Sequence, residues 1–138
     1  METTLTETAT KPASDESQKL ADRIKGVLDE HSAQDVVEID VRGKSSVADV
    51  MLIASGRSNR HVAALADYVR RDLKDAGMLP AMEGAEKADW VLVDAGDVIL
   101  HIFRPEVRVF YNLEKIWNVP LPDSLLSVAE AGPEDDAS

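Results

Sequence analysis

Apolar residues recur along this chain with alternating helical and strand periods, which predicts an α/β protein. Between residues 20 and 31 the apolar positions follow a helical stripe, and Ser14, Asp15 or Ser17 is available to cap the helix. That stripe consists of Leu20, Ile24, Val27 and Leu28. We therefore expect a first amphipathic helix that packs one face on the core.

Two strands and a second helix are predicted next. Residues 36–41 (VVEIDV) and 49–55 (DVMLIAS) are rich in β-branched or bulky apolar side chains, and a Gly-Lys-Ser-Ser turn region separates them. After Gly56 the helical period returns and continues to Gly77, a residue type that commonly follows a helix end, with Pro80 beyond it. The apolar positions of this second helix are Val62, Leu65, Ala66, Val69 and Leu73.

A β-hairpin is predicted over residues 89–103, where the runs DWVLVD and DVILHIF flank an Ala-Gly dipeptide. A tight turn at this dipeptide would place Asp94 opposite Asp97 and Trp90 opposite His101. One face of the hairpin is then wholly aliphatic, with Val91, Val93, Val98, Leu100 and Ile102. The other carries Trp90, Leu92, Ile99, His101 and Phe103. The aliphatic face is predicted core, whereas the aromatic face is either covered by a helix or partly offered to a partner.

A last helix is expected to start at Pro105, a residue type favoured at the first helical position. Its aromatic and aliphatic side chains need a surface to pack on, and they are Phe110, Tyr111, Leu113, Ile116 and Trp117. These elements together predict a single α/β domain, in which helices flank a mixed β-sheet.

Length and charge set the boundaries of that domain. The 138 residues suffice for one core, and the net charge of −11 is concentrated at the ends. Both ends are acidic and poor in large apolar residues, so we expect disordered acidic tails at 1–16 and 121–138 around a domain at 17–120. The absence of cysteine, of a signal sequence and of a long apolar run leads us to expect a cytoplasmic protein.

Metal, nucleotide and cofactor sites find little support in the sequence. The GKSS stretch at 43–46 resembles the end of a phosphate-binding loop, but the required glycine five places earlier is Glu38 and a strand follows. The three histidines, His31, His61 and His101, lie on separate predicted elements and form no i,i+4 pair. We therefore expect neither a metal nor a cofactor.

The stretch GRSNRHV, residues 56–62, has two interpretations. Either helix N-terminal amides hold a phosphate with help from Arg57 and Arg60, or Ser58 or Asn59 caps the second helix and the arginines are solvated. The first would make the chain a phosphate- or nucleotide-dependent transferase that also uses the Asp94 and Asp97 carboxylates. Such transferases need two carboxylates one residue apart to hold magnesium, and the following strand lacks them.

Several stretches together resemble the ribosomal silencing factor family, also called Iojap-like or RsfS. They are KSSVADVMLIASGRSNRHV, followed by ADWVLVDAGDVILHIFRPEVRVFYNLEKIW, and the resemblance covers roughly residues 18 to 118. The shared features occur in the family's order: the serine-rich turn, the GxSxRHV helix start, the DxGDVxxHxF hairpin and the YxLExxW end. This chain departs mildly, with Val50-Met51 in place of an aromatic pair and YNLE in place of YDLE.

The resemblance implies a nucleotidyltransferase-like fold without the catalytic carboxylate pair, and a binding protein that is not an enzyme. It further implies that the partner is the large ribosomal subunit, contacted through its ribosomal protein fourteen. The implied mechanism is steric: the occupied large subunit cannot join a small one, so translation is repressed when nutrients are scarce.

By position in the family's motif, the partner-binding residues include Trp90, Val91 and Arg104. The predicted hairpin register adds His101 beside Trp90, and it places Arg104 opposite Lys87 at the same open end. An exposed tryptophan ringed by cations has the composition of a binding hot spot. A self-associating protein whose open strand edge pairs across a twofold axis remains a further interpretation, and with it a homodimer when free of the ribosome.

Overall fold

A computed structural model of the chain describes residues 15–131. The helices are α1 (Asp15–Glu30), α2 (Asn59–Asp75), α3 (Pro105–Tyr111), α4 (Leu113–Ile116) and α5 (Leu126–Ala131), with a 3-10 turn at Asp123–Leu125 before α5. The strands are β1 (Gln34–Asp40), β2 (Val50–Ser55), β3 (Ala81–Glu83), β4 (Trp90–Asp94) and β5 (Val98–Phe103).

The five strands form one mixed sheet in the order β1-β2-β5-β4-β3. Strands β2 and β5 pair in parallel at the centre, and the other neighbours pair antiparallel. The parallel pair requires a long crossover, which α2 and the β3-β4 hairpin supply. The predicted mixed sheet with flanking helices is confirmed.

Helices α1 and α2 cover one face of the sheet and form the main core with it. All five apolar positions predicted for α2 are buried, as are the five aliphatic side chains predicted for the core face of the hairpin. Burying each large aliphatic side chain contributes about 1.5–3 kcal/mol relative to leaving it exposed. The sequence therefore predicted this layer correctly, because its helical and strand periods agree with the faces that are buried.

The hairpin register differs from the prediction by two residues. The turn lies at Gly96 and Asp97, one residue later than predicted, and Gly96 has the positive φ of +88° that the first position of such a turn favours. Trp90 therefore pairs with Phe103, and Asp94 pairs with Ile99. Because side chains alternate with a period of two, a shift of two residues preserves both faces of the hairpin.

Two short elements were not predicted: the strand β3, which follows α2, and the helical segment near the C-terminus. Strand β3 has only three residues, too few to show a period, and its Met82 pairs with Val93. The expected C-terminal tail from residue 121 is wrong for its first part, because residues 123–131 are helical and Leu125 is 2% exposed. The expected tail at 1–16 lies mostly outside the described residues, although α1 already begins at Asp15.

Two of the three expected caps of the first helix, Asp15 and Ser17, lie within the helix itself. Ser17 lies inside α1, where it is fully buried and its hydroxyl donates to Asp49 Oδ2 at 2.6 Å. Ser14 lies outside the residues that the structure describes. Ser17 therefore ties α1 to the start of β2 instead of capping the helix.

Candidate functional site

An aromatic cluster occupies the second face of the sheet, at the end where β4 begins and β5 finishes. Trp90 stacks on Phe103 with ring centroids 5.0 Å apart, and Tyr111 of α3 approaches Trp90 to 4.6 Å. His101 lies 5.9 Å from Trp90 in the same cluster. Strand pairing and the position of α3 thus bring together Trp90 and Tyr111, which are 21 residues apart in the sequence.

His101 is an internal member of this cluster. It is 7% exposed, and its Nδ1 accepts a hydrogen bond from Trp90 Nε1 at 3.1 Å. Burial lowers the pKa of His101 from 6.5 to about 4, and an accepting Nδ1 also requires a neutral ring. His101 is therefore a neutral residue that orients the Trp90 indole, and it offers a partner little surface.

Helix α3 leaves two aromatic rings exposed, one of which belongs to the cluster. Phe110 is 70% exposed and Tyr111 is 48% exposed, and their rings meet edge to face at 5.1 Å. Together with the partly buried Trp90 they form a continuous surface, called here the aromatic patch. Phe110 and Tyr111 were expected to pack internally. Their adjacency was the available signal, because neighbouring residues on a short helix point about 100° apart.

Two of the predicted contact residues lie elsewhere than expected. Val91 is fully buried beneath α1 and α2 on the opposite face, so it cannot touch a partner while the domain is folded. Arg104 is half-buried beside the patch, and its N–H donates to the Asp89 carbonyl at 3.2 Å, so it does not face Lys87. Val91 is therefore corrected to a core residue, whereas the partner-binding roles predicted for Trp90 and Arg104 stay predictions.

The loop before β4 fits closely around Trp90. Gly84 has φ +88°, and a Cβ at this position would collide with the Trp90 carbonyl oxygen. The Gly84 carbonyl accepts from Ala88 N at 2.9 Å, which closes the loop into a compact turn. A glycine is therefore required here, both for its backbone angle and for the close approach.

A buried ion pair holds α3 and α4 against the sheet. Arg108 and Glu114 are both fully buried, with Arg108 Nε donating to Glu114 Oε2 at 2.9 Å. Arg108 Nη1 also donates to Ser55 Oγ at 2.8 Å, at the end of β2. Between the charges the chain bends at Asn112, whose φ of +46° is left-handed and whose side chain caps α4. This network fixes the helix that carries Tyr111.

The GRSNRHV stretch forms the N-terminus of α2, as one of its two interpretations predicted. Ser58 is the N-cap, and its hydroxyl accepts from His61 N at 3.1 Å. The His61 ring accepts from Arg57 N through Nδ1 at 2.9 Å, and its Nε2 donates to the His31 carbonyl at 3.0 Å. Asn59 does not cap the helix; its side chain donates to the Lys87 carbonyl.

The carboxylates proposed for a transferase lie far from that loop. Gly56 bonds to Phe103 at one end of β5, whereas Asp94 pairs with Ile99 near the other end. Four residue steps of about 3.3 Å separate Trp90 from Asp94 along β4, which makes roughly 13 Å. Asp94 and Asp97 therefore cannot act together with Arg57 on one phosphate.

Within residues 15–131, no group of three histidine, aspartate or glutamate side chains is arranged to hold a metal ion. The helices of this region also lack the length and the continuous apolar character that crossing a membrane requires.

Known proteins resemble this chain over most of its length. A family model described as "Ribosomal silencing factor during starvation" matches residues 14–137. A curated relative from Zymomonas mobilis, named ribosomal silencing factor RsfS, is 50% identical over 107 residues, which cover 72% of this chain and 80% of the relative. Mouse mitochondrial assembly of ribosomal large subunit protein 1 is 32% identical over 120 residues, covering 83% of this chain and 53% of that protein.

A crystal structure of a Chromobacterium violaceum protein has the same fold, with a TM-score of 0.75 at 38% identity, and it covers 78% of this chain and 90% of that chain. This structural similarity does not test whether the fold resembles that of nucleotidyltransferases, so that resemblance stays a prediction. The bacterial relative is named for a regulatory role and not for a catalytic activity. Because the family model spans residues 14–137, nearly the whole sequence, the chain belongs to the ribosomal silencing factor family.

Proposed function

We propose that this protein binds the large ribosomal subunit through ribosomal protein fourteen and sterically prevents the small subunit from joining. Membership of the family supports an action on the ribosome. The contact with ribosomal protein fourteen and the steric block rest on the sequence resemblance, and we propose that they take place in the cytoplasm when nutrients are scarce. The aromatic patch is the proposed contact surface, with Arg104 at its border.

The observation that carries this proposal is the exposure of adjacent aromatic rings on a rigid support. Phe110 and Tyr111 leave 70% and 48% of their surface in solvent, whereas Phe103 beneath the patch is buried. Exposed aromatic clusters next to arginine are the usual composition of binding hot spots. The patch is also preorganised by the Trp90–His101 hydrogen bond, which lowers the entropic cost of binding.

The choice of the large subunit has independent support in the mouse relative, whose name refers to assembly of the mitochondrial large ribosomal subunit. A surface that docks on the joining face of that subunit prevents joining without any chemical step. The mechanism then requires only that the protein binds the large subunit and occupies space on it. This is consistent with a domain in which the residues considered for a transferase lie apart.

Binding titrations with purified ribosomal protein fourteen test this function. Trp90→Ala should weaken binding by about 30-fold or more, since loss of a hot-spot tryptophan costs about 2 kcal/mol or more. Leu79→Ala is the matched control, because Leu79 is 70% exposed but lies beside β3, whose Ala81 pairs with Asp94 at the far end of the sheet. It should bind like the wild type. Equal affinities for the two variants, both folded by denaturant melts, would remove the aromatic patch from the interface.

We also propose that the ribosome-free protein forms a homodimer through an open sheet edge. Strands β1 and β3 are the outer strands of the sheet, and each pairs on one side only among the described residues. An unpaired strand edge is a template for pairing with a second chain. Size-exclusion chromatography with light scattering at micromolar concentration should show twice the 15.0 kDa mass, and a monomer across this range would contradict the proposal.

A further inference from the structure

The arginines of this chain fall into two groups by their ion pairs. Five of the eight arginines contact a carboxylate, and these are Arg23, Arg42, Arg70, Arg71 and Arg108. The other three, Arg57, Arg60 and Arg104, make no ion pair with any residue in the described part of the chain. In a protein with a net charge of −11, arginines without a carboxylate partner are unexpected.

The three arginines lie at one end of the sheet, where the central strands β2 and β5 finish. The Gly56 N–H donates to the Phe103 carbonyl at 2.9 Å. Because Arg104 follows Phe103 in the sequence, this bond brings the loop of Arg57 and Arg60 next to it. On the other side, the Asn59 amide donates to the Lys87 carbonyl at 3.0 Å and brings a fourth cation to this end. Arg57, Arg60 and Lys87 are exposed, and together with Arg104 they are called here the cationic edge.

Helix α2 adds to the preference of this edge for an anion. Its 17 residues begin between Arg57 and Arg60, and its first turn contains no acidic side chain. The free N–H groups and the dipole of a helix N-terminus favour a negative charge, which many helices supply from their own first turn. The exposed arginines and the helix N-terminus thus favour an anion at the same place.

We propose that the cationic edge binds the phosphodiester backbone of ribosomal RNA while the adjacent aromatic patch binds ribosomal protein. This inference rests on the proposed function, since it assumes that the chain docks on the large subunit. Tyr111 follows Arg104 by two helical turns and Trp90 follows Lys87 by three residues, so the two surfaces are continuous. One docked orientation can therefore engage both.

RNA fits this edge better than protein does. Ribosomal proteins are mostly basic, and placing arginines against a basic surface would be repulsive. Arginine presents a planar fork of donors that matches a phosphate, and it does so without needing a precise base sequence. Three acids, Glu86, Asp89 and Glu106, lie on neighbouring segments, but none is in an ion pair with these cations, and the four cations outnumber them.

Salt-dependent binding to purified large subunits tests the proposal, with the double variant Arg57→Gln/Arg60→Gln. The matched control is Arg70→Gln/Arg71→Gln, which removes the same charge from the middle of α2, at arginines already paired with Asp67. Plots of log affinity against log KCl, at fixed Mg²⁺, should lose about 2 from their slope in the first variant, since each phosphate contact contributes about 1. The control should keep the wild-type slope.

A second titration with isolated ribosomal protein fourteen separates the possible outcomes. The proposal predicts that the Arg57→Gln/Arg60→Gln variant binds this protein like the wild type and loses affinity, by about tenfold or more, only for the intact subunit. Equal losses with both partners would show that the arginines contact protein, and an unchanged salt slope would show that they contact no phosphate; either result overturns the inference. If the wild type fails to bind ribosomal protein fourteen while the slope on subunits still changes, the proposed function fails and the RNA contact stands.

Discussion

At the scale of single residues, the aromatic patch depends on a histidine that stays neutral. Trp90 Nε1 donates to His101 Nδ1, and the ring is buried beneath Trp90 and Phe103. A proton on Nδ1 would replace this hydrogen bond with two opposed donors. The orientation of Trp90 is therefore linked to the protonation state of His101.

This linkage predicts that the domain loses stability in acid through His101. The folded pKa is about 4 and the unfolded value is 6.5, so between these pH values the unfolded chain binds a proton that the folded chain does not. The free energy of unfolding therefore carries the full contribution above pH 6.5 and loses it as the pH falls towards 4, by roughly 3 kcal/mol at most.

Denaturant melts between pH 4 and 7 measure this effect against His101→Phe, which keeps an aromatic ring and removes the titration. The wild-type free energy of unfolding should fall more steeply with acid than that of the variant. NMR titration of the His101 ring gives the second check, and an ordinary midpoint near 6.5 in the folded protein would contradict the burial described here.

Some residues of the site could be placed from the sequence, and others could not. Trp90 and His101 were correctly placed on one face, because residue alternation along two paired strands survives a register error of two. Val91 was misplaced because a position in a family motif does not report which face of a strand is covered. The contribution of Tyr111 depends on how α3 crosses the sheet, which no local pattern in the sequence specifies.

At the scale of elements, the support of the patch is an ion pair buried between α3 and α4. Glu114→Gln should lower the free energy of unfolding by about 3–5 kcal/mol, because it leaves the fully buried charge of Arg108 without its counter-charge. The double variant Arg108→Met/Glu114→Leu should recover most of this loss, since apolar side chains of similar volume often replace a buried pair without cost. Denaturant melts of both variants, each with binding titrations, measure the effect.

The double variant also distinguishes stability from positioning. If the charges only hold α3 in place, a repacked core keeps Tyr111 against Trp90 and binding is retained. If Glu114→Gln is as stable as the wild type, the pair does not support the helix and the description of this network is wrong.

The C-terminal segment gives a second prediction at this scale. Ending the chain after Pro122 should cost about 2 kcal/mol, because Leu125 is 2% exposed and its side chain leaves the core with the removed segment. Ending it after Ala131 should cost little, since residues 132–138 are polar or small. Thermal melts of the two truncated chains provide the comparison, and equal stability would restore the original expectation of a tail from residue 121.

Elements were predictable in proportion to the number of agreeing signals. Helix α2 combines a serine cap, a continuous apolar stripe and Gly77 with φ +90°, and all three were readable from the sequence. Strand β3 offers three residues after Pro80 and shows no period, so only its pairing with β4 defines it. The helical residues 123–131 were missed because acidic composition concealed the single buried leucine, Leu125.

At the scale of the whole molecule, charge and shape divide the surface into parts with different partners. The chain is strongly acidic overall, which disfavours general attraction to RNA. The unpaired arginines and the exposed aromatic rings occur together at one end of the sheet, so the proposed ribosome contacts are confined to that end. A domain with its cationic and aromatic surfaces at one end and an acidic surface elsewhere is suited to dock in one orientation and to repel other RNA.

The most direct test of the proposed mechanism is competition between this protein and small subunits for purified large subunits, followed by sucrose-gradient sedimentation. The steric account predicts that the wild type co-sediments with free large subunits, is absent from joined ribosomes, and reduces joining in proportion to its occupancy. Trp90→Ala should leave joining intact at the same concentration. Wild-type protein bound equally to joined ribosomes and to free large subunits would contradict the account.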